Sequence, residues 1–448
     1  MFRSKFRPVL RGAAVASALM LALAACSSSN GDSPSPTSTK DSTPTAEAPL
    51  SGKITVWAWE PTLKDVVANF KKENPGVTVD LVNAGTGNDQ YTALQNAIKA
   101  GNGVPDVAQV EYYALPQFAL ANSLTDLAQF GASSLDGTFT PGPWGSVKQG
   151  DAVYGLPMDS GPEALFYNKK VFDKYDIAVP TTWDEYLAAA KKLHAADPKA
   201  YITTDTGDAG QTTSMIWQAG GQPFQVDGTN VTINLKDEGS TKYATFWQQM
   251  IDQKLVSPVA GWSDEWFKGL ADGTIASLVI GAWMPANLES GAAAASGDWR
   301  VAPMPQWSAG EKATSENGGS SLAVPAASAN AELAYKFIEY ATAGAGVKTR
   351  IDGGAFPATV AELNSDDFKN KEFPYFGNQK VNEVLADAAA NVVPGWQYLP
   401  YQVYANSIFG DTVGKAYVSS TTLKDGLAAW QDSLVEYGNQ QGFTVTGK

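Results

Sequence analysis

From Lys53 onward, hydrophobic and polar positions follow two alternating periods. Lys53-Ile-Thr-Val-Trp57 alternates residue by residue, as a strand with one buried face does. Leu63, Val66, Val67 and Phe70 then recur at helical spacing, and Asn74-Pro75-Gly76 stops that helix. Val77, Val79 and Leu81 mark a second strand. Tyr91, Leu94 and Ile98 mark a second helix closed by Gly101, and Pro105-Asp-Val-Ala-Gln-Val110 is a third short strand. This β-α-β-α-β order predicts a mostly parallel sheet with helices on its faces. The same pattern restarts later. Ala164-Leu-Phe-Tyr167 is strand-like. Thr182-Trp-Asp-Glu185 has the capping-box form, and Tyr186, Leu187, Ala190 and Leu193 supply the buried stripe behind it. Ile275-Ala-Ser-Leu-Val-Ile280 is continuously apolar, as a strand covered on both faces is. Ser321-Leu-Ala-Val-Pro325 and residues 331–340 add a further strand and helix. No short-period repeat is present, and two α/β lobes fit this pattern better than one large sheet.

The first fifty residues follow neither period. Arg3 to Arg11 form a positive region and Gly12 to Ala25 a short apolar one, below the ~18 residues of a transmembrane candidate. Residues 1–25 therefore read as a signal peptide. The segment ends Leu23-Ala24-Ala25-Cys26, which resembles the lipobox of bacterial lipoproteins. That resemblance implies that Cys26 is lipidated by several acyl chains, palmitate-like in kind, and becomes the first mature residue. Residues 26–52 then form a Ser/Thr/Pro tether too poor in apolar surface to fold. The expected location is the outer face of the cell membrane, extracellular and held by the lipid alone.

Composition removes several function classes. The chain of 448 residues carries a net charge of −14, and its first 25 residues hold four bases and no acid, so the remainder stands at −18. Such a surface repels phosphate backbones, and no nucleic-acid partner is expected. The single cysteine excludes an internal disulfide and any Cys-based metal site in the body. The single histidine, His194, sits in a helical stretch and reads as a half-exposed helix residue. No Gly-x-Ser-x-Gly elbow, phosphate-binding loop or dinucleotide fingerprint is present. No metal or cofactor is implied. Carboxylate-only catalysis survives these exclusions.

A set of segments in a fixed order carries a family resemblance. They are Ile54-Thr-Val-Trp-Ala-Trp59, Pro105-Asp106-Val107, Val153-Tyr-Gly-Leu-Pro157, Leu165-Phe-Tyr-Asn168-Lys and Pro180-Thr-Thr-Trp183-Asp-Glu185. Gly281-Ala-Trp283, Gly318-Gly319 before Leu322-Ala-Val-Pro325, and Gly353-Gly-Ala-Phe-Pro357 complete it. Over residues 53–442 the chain resembles the extracellular solute-binding proteins of ABC sugar importers, the family that includes maltose-binding protein. The resemblance implies a two-lobed periplasmic-binding-protein-like fold, each lobe a mostly parallel sheet flanked by helices, with a ligand cleft between the lobes. Lobe 1 would take residues 53–156 and 309–356, and lobe 2 residues 157–308 and 357–448. Pro157, Pro303, Pro305 and Pro357 lie near the crossings. It also implies a di- or oligosaccharide ligand, the transmembrane subunits of an ABC permease as partner, and a monomeric receptor that performs no chemistry.

Sugars present apolar C–H faces and a rim of hydroxyls, so their sites pair aromatic platforms with carboxylates, amides and backbone groups. Trp283 follows Gly281 at the end of a buried strand, where ligands of α/β sheets bind. The resemblance places a sugar-stacking Trp there; the other reading is a core Trp. Trp59 and Glu60 follow the first strand, and Glu111 and Tyr112 follow the third. Each carboxylate either accepts hydroxyl hydrogen bonds or caps a helix. Asp159 follows Gly-Leu-Pro-Met at the entry to lobe 2, at the cleft mouth or hinge. Asn317, Gly318 and Gly319 precede a lobe-1 strand, and the glycines allow close approach of a ligand or simply a turn. Trp396, Tyr398 and Tyr401 lie in a Pro/Gly-rich stretch near an aromatic contact of the family, with no register to choose among them. Trp262 is a further candidate. Trp183, Trp247 and Trp430 lie in helical stretches and read as core, and Arg300 and Arg350 as structural or surface residues.

Two other functions stay open on the residues alone. An extracellular glycoside hydrolase would use Glu60, Glu111 or Asp159 as acid and base, and only the whole-chain resemblance argues against it. The same fold with a non-sugar ligand is the other. Tyr112-Tyr113 suggests iron, but no histidine is placed to complete such a site.

Overall fold

A computed structural model describes residues 49–205 and 209–448. Cys26, the signal peptide and most of the tether lie outside the described residues. The strands that position the site are β1 (Ser51–Trp57), β2 (Gly76–Val82), β3 (Val107–Glu111), β4 (Leu156–Pro157), β5 (Glu163–Asn168), β6 (Ser277–Gly281), β7 (Trp299–Pro303) and β8 (Ser320–Ala323). The helices used below are α1 (Leu63–Glu73), α2 (Asn88–Ala100), α3 (Trp183–Ala196), α4 (Asp264–Asp272) and α5 (Met284–Gly291).

Lobe 1 is built on a five-stranded sheet in the order β2-β1-β3-β8-β4. β2, β1 and β3 run parallel, as the β-α-β-α-β pattern requires, with Ile54 opposite Val79 and Val56 opposite both Leu81 and Val107. β8 is antiparallel to β3 and β4. Ile54, Val56, Leu63, Val66, Val107 and Val110 are buried in one core with Leu322 and Phe337, so both stretches of chain close the same lobe.

Lobe 2 departs from the sequence expectation. Its main sheet, in the order β6-β7 on either side of β5, is antiparallel throughout rather than mostly parallel. The cause is the route of the chain. β5 arrives from lobe 1 and so begins at the inter-lobe junction. β6 and β7 end there, with Gly281 opposite Glu163 and Pro303 opposite Ala164. The continuous apolar run Ile275–Ile280 is nevertheless covered on both faces, with Ile275, Leu278 and Ile280 in one core and Ala276 and Val279 in another, and β5 divides in the same way. Ala164 and Phe166 face a core with Trp266, Trp299 and Leu385, while Leu165 faces a separate core with Trp183, Tyr186 and Trp247. Both faces are covered, and burying a side chain the size of Leu165 or Phe166 contributes about 1.5–3 kcal/mol. α3 begins with the capping box read from sequence: Thr182 Oγ1 accepts the Glu185 N–H, and Glu185 accepts the Thr182 N–H. Trp183, Trp247 and Trp430 are buried. His194 is half-buried on α3, its ring beside Tyr201.

The chain passes between the cores along residues 157–163, again along 304–320 and again along 356–358. The passages pair with one another. Met158 N–H donates to the Ser320 carbonyl, Glu163 N–H to Ser315 and Asn317 N–H to Gly161. Asp159 bridges to Pro357, and Pro162 to Glu316. These short ladders are the mechanical connection between the lobes.

Candidate functional site

Two strands of lobe 1 end at the junction, and one buried side chain arranges the loop between them. Gln109 on β3 accepts the backbone N–H groups of Trp59 and Glu60, each at 3.1 Å, and donates to Ser320 Oγ at 3.2 Å. Glu60 is thereby turned toward α1. Its carboxylate accepts Thr62 Oγ1 at 2.6 and 2.7 Å and the Leu63 N–H at 3.2 Å, and lies 4.0 Å from Arg350 Nε. Of the two roles open to it, Glu60 takes the helix cap, with an ionic partner the sequence did not suggest. Trp59 is half-buried and meets the edge of Tyr91 at 6.2 Å.

Glu111 ends β3 and keeps a half-buried carboxylate. Tyr91 orients it, accepting the Glu111 N–H at 3.0 Å while donating to Oε2 at 2.8 Å. Gly87 is left-handed at φ 55°, and a Cβ there would sit 3.5 Å from Glu111 Oε2 and 3.9 Å from the Tyr113 hydroxyl. The glycine leaves room beside the carboxylate, and Tyr113 borders the same space. Tyr112 points the other way. It is 1% exposed, and its hydroxyl donates to the Asp159 carbonyl at 2.5 Å. Tyr112 is a pin between lobe 1 and the crossing, not a ligand platform.

Across the junction, Trp283 stands where β6 gives way to α5. Its Nε1 donates to the Asn317 carbonyl at 2.8 Å. A Cβ on Gly281 or Gly318 would lie 2.5 or 3.1 Å from that nitrogen, so the ring rests against bare backbone. Gly318 and Gly319 are left-handed, at φ 79° and 99°, and a Cβ on Gly319 would strike Tyr112 at 2.5 Å. These glycines allow close approach of Trp283 and Tyr112 to the crossing segment. Beyond Trp283 lies Trp262, 44% exposed, with ring centroids 5.6 Å apart.

The floor is a set of buried carboxylates on the crossing segments. Asp159 accepts the Ser320 N–H at 2.6 Å; burial raises its pKa to about 6, against the pull of Arg350. Glu163 accepts Ser315 Oγ at 3.0 Å and the Asn317 amide at 3.4 Å, and Glu316 accepts Ser160 Oγ at 2.8 Å. Burial lifts each to about 7, opposed by those hydrogen bonds. Arg350 is 2% exposed and its guanidinium donates to the Met158 carbonyl. Sequence reasoning missed Glu163 and Glu316; of the two readings open to Arg350, structural or surface, the buried guanidinium takes the structural one. The available signal was a carboxylate, Glu163, directly ahead of the apolar run Ala164-Leu165-Phe166.

The C-terminal aromatics do not act together. Tyr401 is buried inside lobe 2 against Tyr437 and Phe443, with ring centroids 5.6 and 5.5 Å away, and is withdrawn from the ligand set. Trp396 stacks on Trp217 at 5.1 Å and 7°. Trp396 and Tyr398 line an inter-lobe cavity of about 660 Å³ with Leu115, Tyr154 and Asp227. None of Trp59, Glu60, Glu111, Asp159, Trp262, Trp283 and Asn317 borders that cavity. Tyr398 links the two regions: burial, then the nearby Glu316, Glu111 and Glu163, push its phenol well up.

The arrangement is an inter-lobe junction with an oriented carboxylate, Glu111, on the lobe-1 side and a half-buried tryptophan, Trp283, on the lobe-2 side. The sequence model of the bacterial extracellular solute-binding proteins matches residues 58–348. The chain belongs to the bacterial extracellular solute-binding proteins. Among solved structures of such receptors, an ABC transporter-associated binding protein of B. animalis subsp. lactis Bl-04, in complex with β-1,6-galactobiose, is 51% identical. It superposes with a TM-score of 0.80 over 89% of this chain and 100% of that one. The galacto-N-biose/lacto-N-biose I-binding protein of Bifidobacterium longum, in complex with lacto-N-biose, is 28% identical, with a TM-score of 0.78 over 88% and 99%. A lactose-binding protein of Rhizobium radiobacter is 24% identical over 86% of this chain and 93% of its own length. The two-lobed solute-binding fold is thus established for this receptor. No helix among the described residues is long and apolar enough to cross a membrane.

Proposed function

We propose that this solute-binding protein is the sugar-capturing receptor of an ABC importer. Its ligand is a di- or oligosaccharide ending in a β-linked galactose, which it hands unchanged to the permease's transmembrane subunits. The observation that carries this reading is the 51% identity, over the whole length of the relative, to a receptor solved with β-1,6-galactobiose. Lacto-N-biose and lactose, the sugars named for two further relatives, also end in β-linked galactose. The site supports it: Trp283 offers a flat face for sugar C–H groups, and Glu111 an acceptor held by Tyr91 for hydroxyls. Hydrolysis is not proposed. Of the sequence candidates for acid and base, Glu60 is committed to the α1 cap and Asp159 to the Ser320 N–H.

In this reading residues 53–156 and 309–356 move as lobe 1 against residues 157–308 and 357–448, and the monomer closes on the sugar. Cys26 carries the lipid that keeps the body at the outer face of the membrane. Calorimetric titration with β-1,6-galactobiose, followed by chromatography of the recovered sugar, tests the function. Saturable binding of sugar recovered intact is expected. No binding of galactobiose, lacto-N-biose or lactose, or recovery of free galactose, would overturn it. The anchor has its own test: Cys26→Ala should move the protein from the membrane fraction to the medium without changing sugar affinity. A variant that stays with the membrane removes the lipobox reading.

A further inference from the structure

Trp262 combines two features that a folded chain ordinarily avoids. It is the most exposed aromatic side chain among the described residues, at 44%. It also holds a left-handed backbone, φ 65°, that a bulky L-residue rarely adopts. Neither feature reflects a loose loop. Ser263 Oγ donates to the Ala260 carbonyl at 2.7 Å and accepts the Trp266 N–H at 3.2 Å, so the turn is locked onto the start of α4. The ring is backed as well. The fully buried Trp266 lies 5.0 Å away, and Trp283 lies 5.6 Å away with its plane inclined by 32°. Exposing the ring and holding the strained backbone both act against folding, yet the surrounding contacts fix this geometry. A ligand surface explains both, because strain of this kind persists where a chain presents a side chain to something else.

We infer that Trp262 is the platform for the second sugar unit, one ring outward from Trp283, and that it makes the site prefer a disaccharide to a monosaccharide. The two indoles form a shallow angled shelf rather than one plane, which suits two pyranose rings joined by a bent linkage better than a single ring. Trp283, tied to Asn317 on the crossing segment, takes the unit bound at the junction. Trp262, with no bond to the crossing segment, takes the unit that points outward. The inference rests on the proposed sugar-receptor function, with Trp283 as its inner platform.

The test compares galactose with β-1,6-galactobiose by calorimetry on four proteins: wild type, Trp262→Gly, Trp262→Phe and Trp283→Ala. Glycine is chosen at 262 because it accepts the left-handed backbone while removing the ring. Trp262→Gly should weaken galactobiose about tenfold, the scale of one lost stacking contact, and leave galactose nearly unchanged. Trp262→Phe should restore most of the preference, and Trp283→Ala should weaken both sugars. Equal weakening of both sugars by Trp262→Gly would make Trp262 a buttress for Trp283 and overturn the inference, as would unchanged galactobiose affinity. A wild-type protein that binds neither sugar overturns the receptor reading, and this assignment with it.

Discussion

A tryptophan that is to offer a face to a ligand must be held by its edge, and Trp283 is. Its Nε1 is bonded to Asn317 and its flank rests on Gly281 and Gly318. Trp283→Ala should therefore cost of order 1–3 kcal/mol in galactobiose binding, since stacking and apolar burial are both lost. The fold should survive, because the ring is only half-buried. Calorimetry and a thermal melt separate the two effects, and a variant that unfolds would place the ring in the core. Gly318→Ala probes the support instead. Its Cβ would stand 3.1 Å from Nε1 on a backbone at φ 79°, so the ring must shift or the segment strain. Binding should weaken by about tenfold with Trp283 still present, and an unchanged affinity would show that the ring's exact seat does not matter. What was legible in the sequence was placement: Trp283 and Glu111 each follow a strand end, and each lies at the junction. Glu60 and Tyr112 sit at equally good strand ends, yet a local helix cap turns one and a carbonyl 47 residues away holds the other. Only the three-dimensional partner distinguishes these outcomes, and the sequence does not name it.

At the scale of elements, the crossing segments gather charge that their own sequence spacing conceals. Asp159, Glu163 and Glu316 come together because residues 157–163 and 314–320 pair as short strands, and Arg350 reaches Asp159 from a helix far along the chain. Burial raises the three carboxyls to about 6, 7 and 7, above the ~4 they have in an unfolded chain. Their folded pKa values are raised, so the native state holds more protons than the unfolded state between about pH 4 and pH 7. Stability is then greatest on the acid side of this window and falls as pH rises through the folded values. The effect is on the order of 3 kcal/mol for each glutamate. The melting temperature should be higher at pH 5 than at pH 8. Glu316→Gln, which keeps an acceptor for Ser160, should flatten that slope and raise stability at pH 8. Parallel curves for variant and wild type across this range would show that Glu316 does not carry the titration. The period-2 and period-3.6 patterns made the parallel strands of lobe 1 and the capped helix α3 legible. They were silent on strand direction in lobe 2, because the direction of β5 is set by where the chain enters from lobe 1, a long-range fact with no local signature.

For the whole molecule, separate cores connected by short paired segments give the proposed function a movement it can use, a change in the relative position of the lobes. A sugar that touches Glu111 in lobe 1 and Trp283 in lobe 2 favours closure only by its greater affinity for the closed form. The 660 Å³ cavity between Leu115 and Tyr154 of lobe 1 and Trp217 and Trp396 of lobe 2 is bounded by both lobes, so it must change shape whenever they move. Saturating β-1,6-galactobiose should shrink the radius of gyration in solution scattering. It should also raise the melting temperature, by about 2.7 kcal/mol of stabilisation at a hundredfold excess over Kd. The second effect follows from binding alone; the first requires closure. A raised melting temperature with an unchanged radius would leave the receptor intact and remove the lobe motion, whereas a smaller radius accompanied by a fluorescence change that Trp396→Phe abolishes would tie the motion to the cavity that both lobes share.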